Sequence, residues 1–328
     1  MSSLEVEAVS LDDHLTVNGK PFPLYGELIR VSPMRYVVPA RLDVNFIKYK
    51  MPIYEDDLWI VTPPKCGTTW TQEIVWLLLN NVDLEAAQIN QFYRIPFLEL
   101  GSIRGPSSEP YQSDLEQNEE NLHHFEGNSF EFAQSRPRPR IIKTHLPLTM
   151  LPDKLLDTCK VIFVARNVKD MAVSYYYHHK LILPEEFPFE EFAKVFKNGA
   201  ILQTPMIPMV LEAWEKRAHP NMCFNTFEEM KADIDGVVEK LCMFLGVKLS
   251  HENKVKLLEA VKFESLKKNK FVNKQKEFDK QDPSKDKVFI RKGMIGDWKN
   301  HFNEKMNAEW DPWIREQLQD SDYNMVFE

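Results

Sequence analysis

With 328 residues, 43% of them hydrophobic, the chain can hold one large or two small domains, and its net charge of −8 argues against a nucleic-acid or membrane-surface partner. It has no apolar run long enough to cross a bilayer and no charged-then-apolar leader, so a soluble cytoplasmic protein is expected. Cys66, Cys159, Cys223 and Cys242 lack both metal-ligand and disulfide-framework spacing, which points to reduced thiols. Without a Gly/Ser linker or internal repeat, 1–328 reads as a single domain.

The first strong element is an apolar strand over 58–62, joined by Pro63-Pro64-Lys65-Cys66-Gly67 to a helix over 69–81 with Ile74, Leu77 and Leu78 on one stripe. A strand, a cationic loop and a helix start form an anion site. Backbone N–H groups at the helix N-terminus point outward at the positive end of its dipole, Lys65 adds a charge, Gly67 allows close approach, and Thr68 and Thr69 supply hydroxyls. The lysine precedes the glycine, unlike the common triphosphatase loop.

Further strands are expected at 140–143, 161–165 and 222–225, with helices at 168–180, 189–198, 209–218, 236–245, 251–260 and 304–318. Alternation of this kind predicts an α/β fold: a central, mostly parallel sheet flanked by helices, with a P-loop-like phosphate-binding loop. Ligands of such sheets bind beyond the carboxyl ends of the strands. Lys65, then Lys143 with His145, then Arg166, then Phe227 all follow strand ends. Arg166 also stands where a magnesium-dependent enzyme would offer Asp, so the site is expected to neutralise its anion with cationic side chains and no metal. His178 and His179 are adjacent on a helix, point about 100° apart and are not expected to chelate together. The segments 101–140, with a short helix near 116–125, and 269–287 read as mobile loops, solvated connections or lids.

Four segments, TPPKCGTTW at 62–70, KTHLP at 143–147, RNVKDMAVSYY at 166–176 and RKGMIGDWKNHF at 291–302, resemble the cytosolic sulfotransferases and stand in the same order. That family moves a sulfuryl group from 3′-phosphoadenosine 5′-phosphosulfate to an alcohol, phenol or amine. The resemblance implies that Lys65, Cys66, Gly67, Thr68 and Thr69 hold the 5′-phosphate, with Trp70 on the adenine. It assigns the 3′-phosphate to Arg166, Ser174, Arg291, Lys292 and Gly293, and further adenine contacts to Phe227 and Phe263. His145 becomes the candidate base, with Lys143 and Lys65 stabilising charge on the transferring group. Phe97, within Arg94-Ile-Pro-Phe-Leu-Glu99, resembles the family's gate over a small hydrophobic hydroxyl substrate, and 175–179 is a second candidate lining.

Departures from the family pattern are Cys66 where serine is usual, Phe227 where tyrosine is common, and Val261-Lys262 before Phe263. A thiol at a helix start is expected to have a lowered pKa and to be oxidisable. The family's dimerisation motif is not recognisable in 269–287, which leaves the oligomeric state open. The long excursion at 101–140 resembles that of an insect enzyme that dehydrates retinol, an alternative within the same superfamily. A non-catalytic nucleotide-binding relative is a further alternative, disfavoured by the presence of both Lys143 and His145.

Overall fold

The computed structural model describes residues 4–10, 16–17, 20–21, 27–104, 129–182, 187–273 and 288–328. Nine strands run β1 Val6–Ala8, β2 Thr16–Val17, β3 Lys20–Pro21, β4 Leu28–Val31, β5 Tyr36–Pro39, β6 Leu58–Val61, β7 Ile141–Thr144, β8 Lys160–Ala165 and β9 Met222–Thr226 among the described residues. The last four form one parallel sheet in the order β7-β6-β8-β9. Their near-continuous apolar composition has a physical cause: both faces are covered. On β8, Val161, Phe163 and Ala165 enter one hydrophobic core while Ile162 and Val164 enter the other, the alternation dictated by a pleated strand. Each such side chain contributes roughly 1.5–3 kcal/mol on full burial, so two apolar faces hold even a four-stranded sheet firmly.

The helix Thr68–Leu79 packs with Ile234–Leu245 and His251–Ala260 on one face, and Val168–Ile182 with Glu304–Leu318 contributes to the core of the other. The helices predicted within the described residues are all present, with ends that match or differ by at most three residues; the strand at 140–143 begins and ends one residue later, so Lys143 lies inside β7 and only His145 follows it. The helix near 116–125 lies outside the described residues, as do 105–128 and 274–287 of the two expected loops. Leu100–Arg104, which enters the expected loop at 101–140, and Ser129–Ser135, within it, are helices.

A second, antiparallel sheet, β1-β4-β5, was not expected. Its β5 is wholly buried, and Val37 exchanges backbone hydrogen bonds with the loop before the Met206–Glu215 helix, Gln203 N donating to Val37 O at 2.8 Å and Val37 N to Thr204 O at 2.7 Å. This sheet forms a wall behind the carboxyl end of β7. In the parallel sheet, β6 is followed by β7 on one side and β8 on the other, so the chain reverses direction at β6 and opens a crevice there.

Candidate active site

A cavity of about 640 Å³ occupies that crevice. Its lining includes Lys65, Gly67, Thr68, Thr69, Trp70, Phe97, Lys143, His145, Arg166, Ser174, Phe227, Phe263, Arg291, Lys292 and Gly293. Every expected site residue except Cys66 therefore reaches one space. Cys66 is a correction. Its side chain is 0% exposed and its Sγ lies 3.2 Å from Met171 Sδ, on the core side of the loop. Burial pushes the thiol well up in pKa, against the expected lowering. Desolvation outweighs the helix start, and only the Cys66 backbone can face an anion.

The loop that presents Lys65 is bent by two left-handed residues, Lys65 at φ 67° and Gly67 at φ 92°. For lysine this conformation costs about 1–2 kcal/mol, a strain of the kind retained at binding sites. A Cβ on Gly67 would also meet the Phe227 ring at 3.0 Å. The helix that follows has no side-chain cap and no acid in its first turn, whereas Asp43, Asn90, Thr226, Asp233, Ser250 and Asn303 cap other helices of the chain. Its N–H groups are left for an anion.

Around this helix start stand Arg166, Arg291 and Lys292. Arg166 donates to Lys65 O at 3.2 Å and Met294 O at 2.7 Å, so it ties the first loop to the last motif. Burial, then Arg166 and Arg291, draws Lys65 down to about 8. Cationic repulsion of this kind inside a chain of net charge −8 marks a pocket shaped for a polyanion. Asp297 sits beneath Arg291 at 2.6 Å and Lys292 at 2.7 Å, and those partners hold its carboxyl well below the usual range despite burial. Asp170 fixes the same motif from the Val168–Ile182 helix: its carboxylate accepts from Gly296 N at 2.8 Å and Trp298 N at 2.9 Å. Gly293, at φ 58°, lies so close to Phe263 that a Cβ would come within 2.6 Å of the ring.

The aromatic groups frame a base-sized slot. Trp70 is half-buried and edge-on to Phe227 at 6.0 Å, and the Arg166 guanidinium lies over the Phe227 ring at 4.3 Å. The buried indole N–H of Trp70 and the Nε of Arg166 have no protein partner among the described residues. The open helix start, the cationic cluster and these orphaned donors fit a nucleotide with two phosphates.

At the other end of the cavity, Lys143 Nζ stands 3.1 Å from the Phe97 ring centroid, and the His145 ring meets Phe97 edge-on at 5.2 Å. Lys143 and His145 of the KTHLP segment thus share a side, as their spacing predicts. His145 is held from three directions. Its Nδ1–H donates to Thr62 O at 2.7 Å, its backbone N–H donates to Glu99 Oε1 at 2.7 Å, and Tyr36 OH donates to its carbonyl. A carbonyl only accepts, so the proton of the neutral ring is on Nδ1 and the lone pair is on Nε2. Glu99 also accepts from the Thr144 hydroxyl at 2.8 Å; burial raises its pKa, with Lys143 and these hydrogen bonds opposing.

Of the aromatic run, Tyr175 and Tyr177 line the cavity, while Tyr176 packs among Phe187, Phe189 and Phe192 as core. His178 also lines the cavity; burial and then Lys65 push it far below its ordinary value, so it is neutral. Glu99, Thr62, Tyr36 and Asp170 are positioning groups that pattern reading did not find. Glu99 stood in the quoted RIPFLE string, yet nothing local marks a glutamate as buried.

A family model described as "Sulfotransferase domain" matches residues 55–322. Luciferin sulfotransferase of Photinus pyralis is 33% identical over 86% of this chain and 78% of its own length, and sulfotransferase 1E1 of Homo sapiens is 35% identical over 84% and 90%. Among solved structures, retinol dehydratase in complex with androsterone and the inactive cofactor PAP superposes with a TM-score of 0.86 at 31% identity, covering 98% of both chains. Mouse SULT7A1 complexed with PAP gives 0.64 at 25% identity, covering 89% of this chain and 95% of that one. A match of this length to the family model, with the same α/β layout in the solved structures, makes the chain a member of the sulfotransferase family.

Proposed function

We propose that the protein transfers a sulfuryl group from 3′-phosphoadenosine 5′-phosphosulfate to the hydroxyl of a small hydrophobic acceptor by in-line displacement, with His145 as general base. The observation that carries this reading is the tautomer of His145, fixed by Thr62 O at 2.7 Å, which keeps a lone pair on Nε2. Lys65, Gly67, Thr68 and Thr69 would hold the 5′-phosphate, Arg166, Ser174, Arg291, Lys292 and Gly293 the 3′-phosphate, and Trp70, Phe227 and Phe263 the adenine. The nucleotide supplies an activated sulfuryl group and an anionic leaving group. His145 accepts the acceptor's proton at Nε2, and the resulting imidazolium keeps its Nδ1–H bond to Thr62. Lys143 and Lys65 oppose the negative charge that builds on the transferring and leaving oxygens. Phe97 and Leu100, packed with Phe92, give the cavity apolar walls for the acceptor's carbon skeleton.

The test is His145→Ala assayed with labelled sulfuryl donor against a phenol panel. Transfer is expected to fall by about 10²–10⁴-fold, with affinity for adenosine 3′,5′-bisphosphate within about twofold by calorimetry, as a non-contacting group implies. Undiminished transfer would refute the base assignment.

A second reading has its own support in the TM-score of 0.86 to retinol dehydratase in a complex with retinol and PAP, at 30% identity and with 98% of this chain covered. In that reading an allylic alcohol is first sulfated, its C–O bond then breaks so that sulfate leaves with the bonding pair, and a proton is lost from the carbon chain, so that the organic product differs from the alcohol by one water. Product analysis with retinol separates the two: anhydroretinol supports elimination, a stable sulfate ester supports simple transfer.

A further inference from the structure

Gln203 borders the cavity beside Leu202 and is 5% exposed, yet the reaction just described gives it no role. Its backbone is held at φ 59°, in the left-handed region, which for glutamine is strained. The paired hydrogen bonds to Val37 of β5, at 2.8 and 2.7 Å, impose that conformation and aim the side chain. The carboxamide is then fixed by Glu99. Glu99 Oε1 accepts from His145 N–H at 2.7 Å, so it is an acceptor whatever the protonation of the other oxygen, and Gln203 must turn its NH₂ toward it at 3.3 Å. That orientation leaves the amide carbonyl, Oε1, on the opposite side. Among the described residues no protein group donates to it, and it is open to the cavity rather than sealed within protein. Tyr175, which could compete for it, spends its hydroxyl proton on Leu202 O at 2.9 Å.

We infer that Gln203 is a specificity-determining residue: its Oε1 accepts a hydrogen bond from a second O–H or N–H on the acceptor. The inference rests on the sulfuryl-transfer reading of the cavity. Phe97, Leu100 and Leu181 give the same cavity apolar walls, so an amide carbonyl held in place there rewards a ligand donor and penalises a methyl. One proton of such a substrate goes to His145 and the other to Gln203. The His145 backbone and the Gln203 amide both donate to one carboxylate oxygen, which sets the two residues side by side at this end of the cavity. The favoured class is therefore a compact hydrophobic diol, or a hydroxyl compound with a nearby amine.

The test compares catechol, resorcinol and hydroquinone with the three cresols of matching substitution, where a methyl replaces one hydroxyl at nearly constant shape. Wild-type protein is expected to favour at least one diol over its cresol by about threefold to tenfold in kcat/KM, the range of a neutral hydrogen bond. In Gln203→Met, of equal length, that ratio is expected to fall to about one. Because the readout is a ratio within each variant, a general loss of activity does not imitate the result. Gln203→Asn, which tolerates the left-handed backbone and withdraws the carbonyl, is the second variant and is expected to lose the same ratio. If none of the three pairs differs in the wild type, or if both variants keep its ratio, the inference is overturned. Should no phenol be sulfated at all, the transfer reading fails by itself. Diol and cresol affinities of the protein saturated with adenosine 3′,5′-bisphosphate then decide Gln203 by the same ratio.

Discussion

Lys65 keeps its charge conditionally, and that makes nucleotide binding depend on pH. Its value of about 8 lies below the ordinary 10.5 because burial and two arginines disfavour the ammonium form. An anion binds the charged form, so affinity is complete below about pH 8 and declines above it, by up to about tenfold per unit until the raised value of the complex is reached. Calorimetry with adenosine 3′,5′-bisphosphate from pH 7 to 9.5 is expected to show this fall, and Lys65→Met to bind weakly and flatten the curve. A wild-type affinity level to pH 9.5 would mean that Lys65 stays fully charged in the free protein. Cys66 provides a contrasting case in the same loop. With the thiol 0% exposed and raised in pKa, iodoacetamide at pH 8 is expected to spare Cys66 in the native protein and to label half-buried Cys242 first. Rapid native labelling of Cys66, read by peptide mass spectrometry, would place it outside the core. Sequence showed both residues at a helix start; it did not show which side of the loop each one faces. The difference arises from packing against Met171, on a helix more than a hundred residues away.

At the scale of elements, the parallel strands and long helices were legible because buried strands read as apolar runs and amphipathic helices repeat their period. The β1-β4-β5 sheet was not. Its β1 is exposed throughout, its β4 carries Arg30 within four residues and its β5 ends on a proline, so none of them reads as a plain apolar run. Its function at the site is carried by single long-range contacts, such as Tyr36 OH to His145 O, for which no local pattern exists. The 291–298 segment shows the opposite case. There the motif was readable, and the structure adds its mechanical reason. Gly293 needs both its left-handed φ of 58° and its missing Cβ, since Phe263 Cε2 would stand 2.6 Å from that atom. Gly293→Ala is expected to weaken nucleotide binding by about tenfold or more, because left-handed alanine alone costs about 1–2 kcal/mol. Combining it with Phe263→Ala removes the steric part and leaves the backbone part, so the double variant is expected to remain well below the single Phe263→Ala. Equal affinities of Phe263→Ala with and without the Gly293 change, measured by calorimetry, would show that the left-handed turn is dispensable.

For the whole molecule, the site joins parts of the chain that are remote in sequence. Arg166 bonds Lys65 O and Met294 O, Asp170 bonds Gly296 N and Trp298 N, and Lys169 reaches Asn307 at 2.7 Å and Asp311 at 2.5 Å. The helix that starts at Val168 is thus the brace that brings the first phosphate loop and the last cationic motif to one crevice. A bisphosphate that engages both sides binds the folded arrangement and not the unfolded chain, so its free energy adds to folding. At a hundredfold excess over Kd the gain is about 2.7 kcal/mol, and for a chain of this size a rise in Tm of roughly 5 °C follows. Adenosine 5′-monophosphate, which lacks the 3′-phosphate, is expected to give a clearly smaller rise at the same concentration because it leaves Arg291 and Lys292 to Asp297. Hydrogen exchange locates the effect: the amides of Gly296 and Trp298, already donated to Asp170, are expected to exchange more slowly with the bisphosphate bound than with the monophosphate. Equal shifts from the two nucleotides, with no added protection at Gly296 or Trp298, would show that the last motif takes no part in binding and that the cationic cluster serves Asp297 alone.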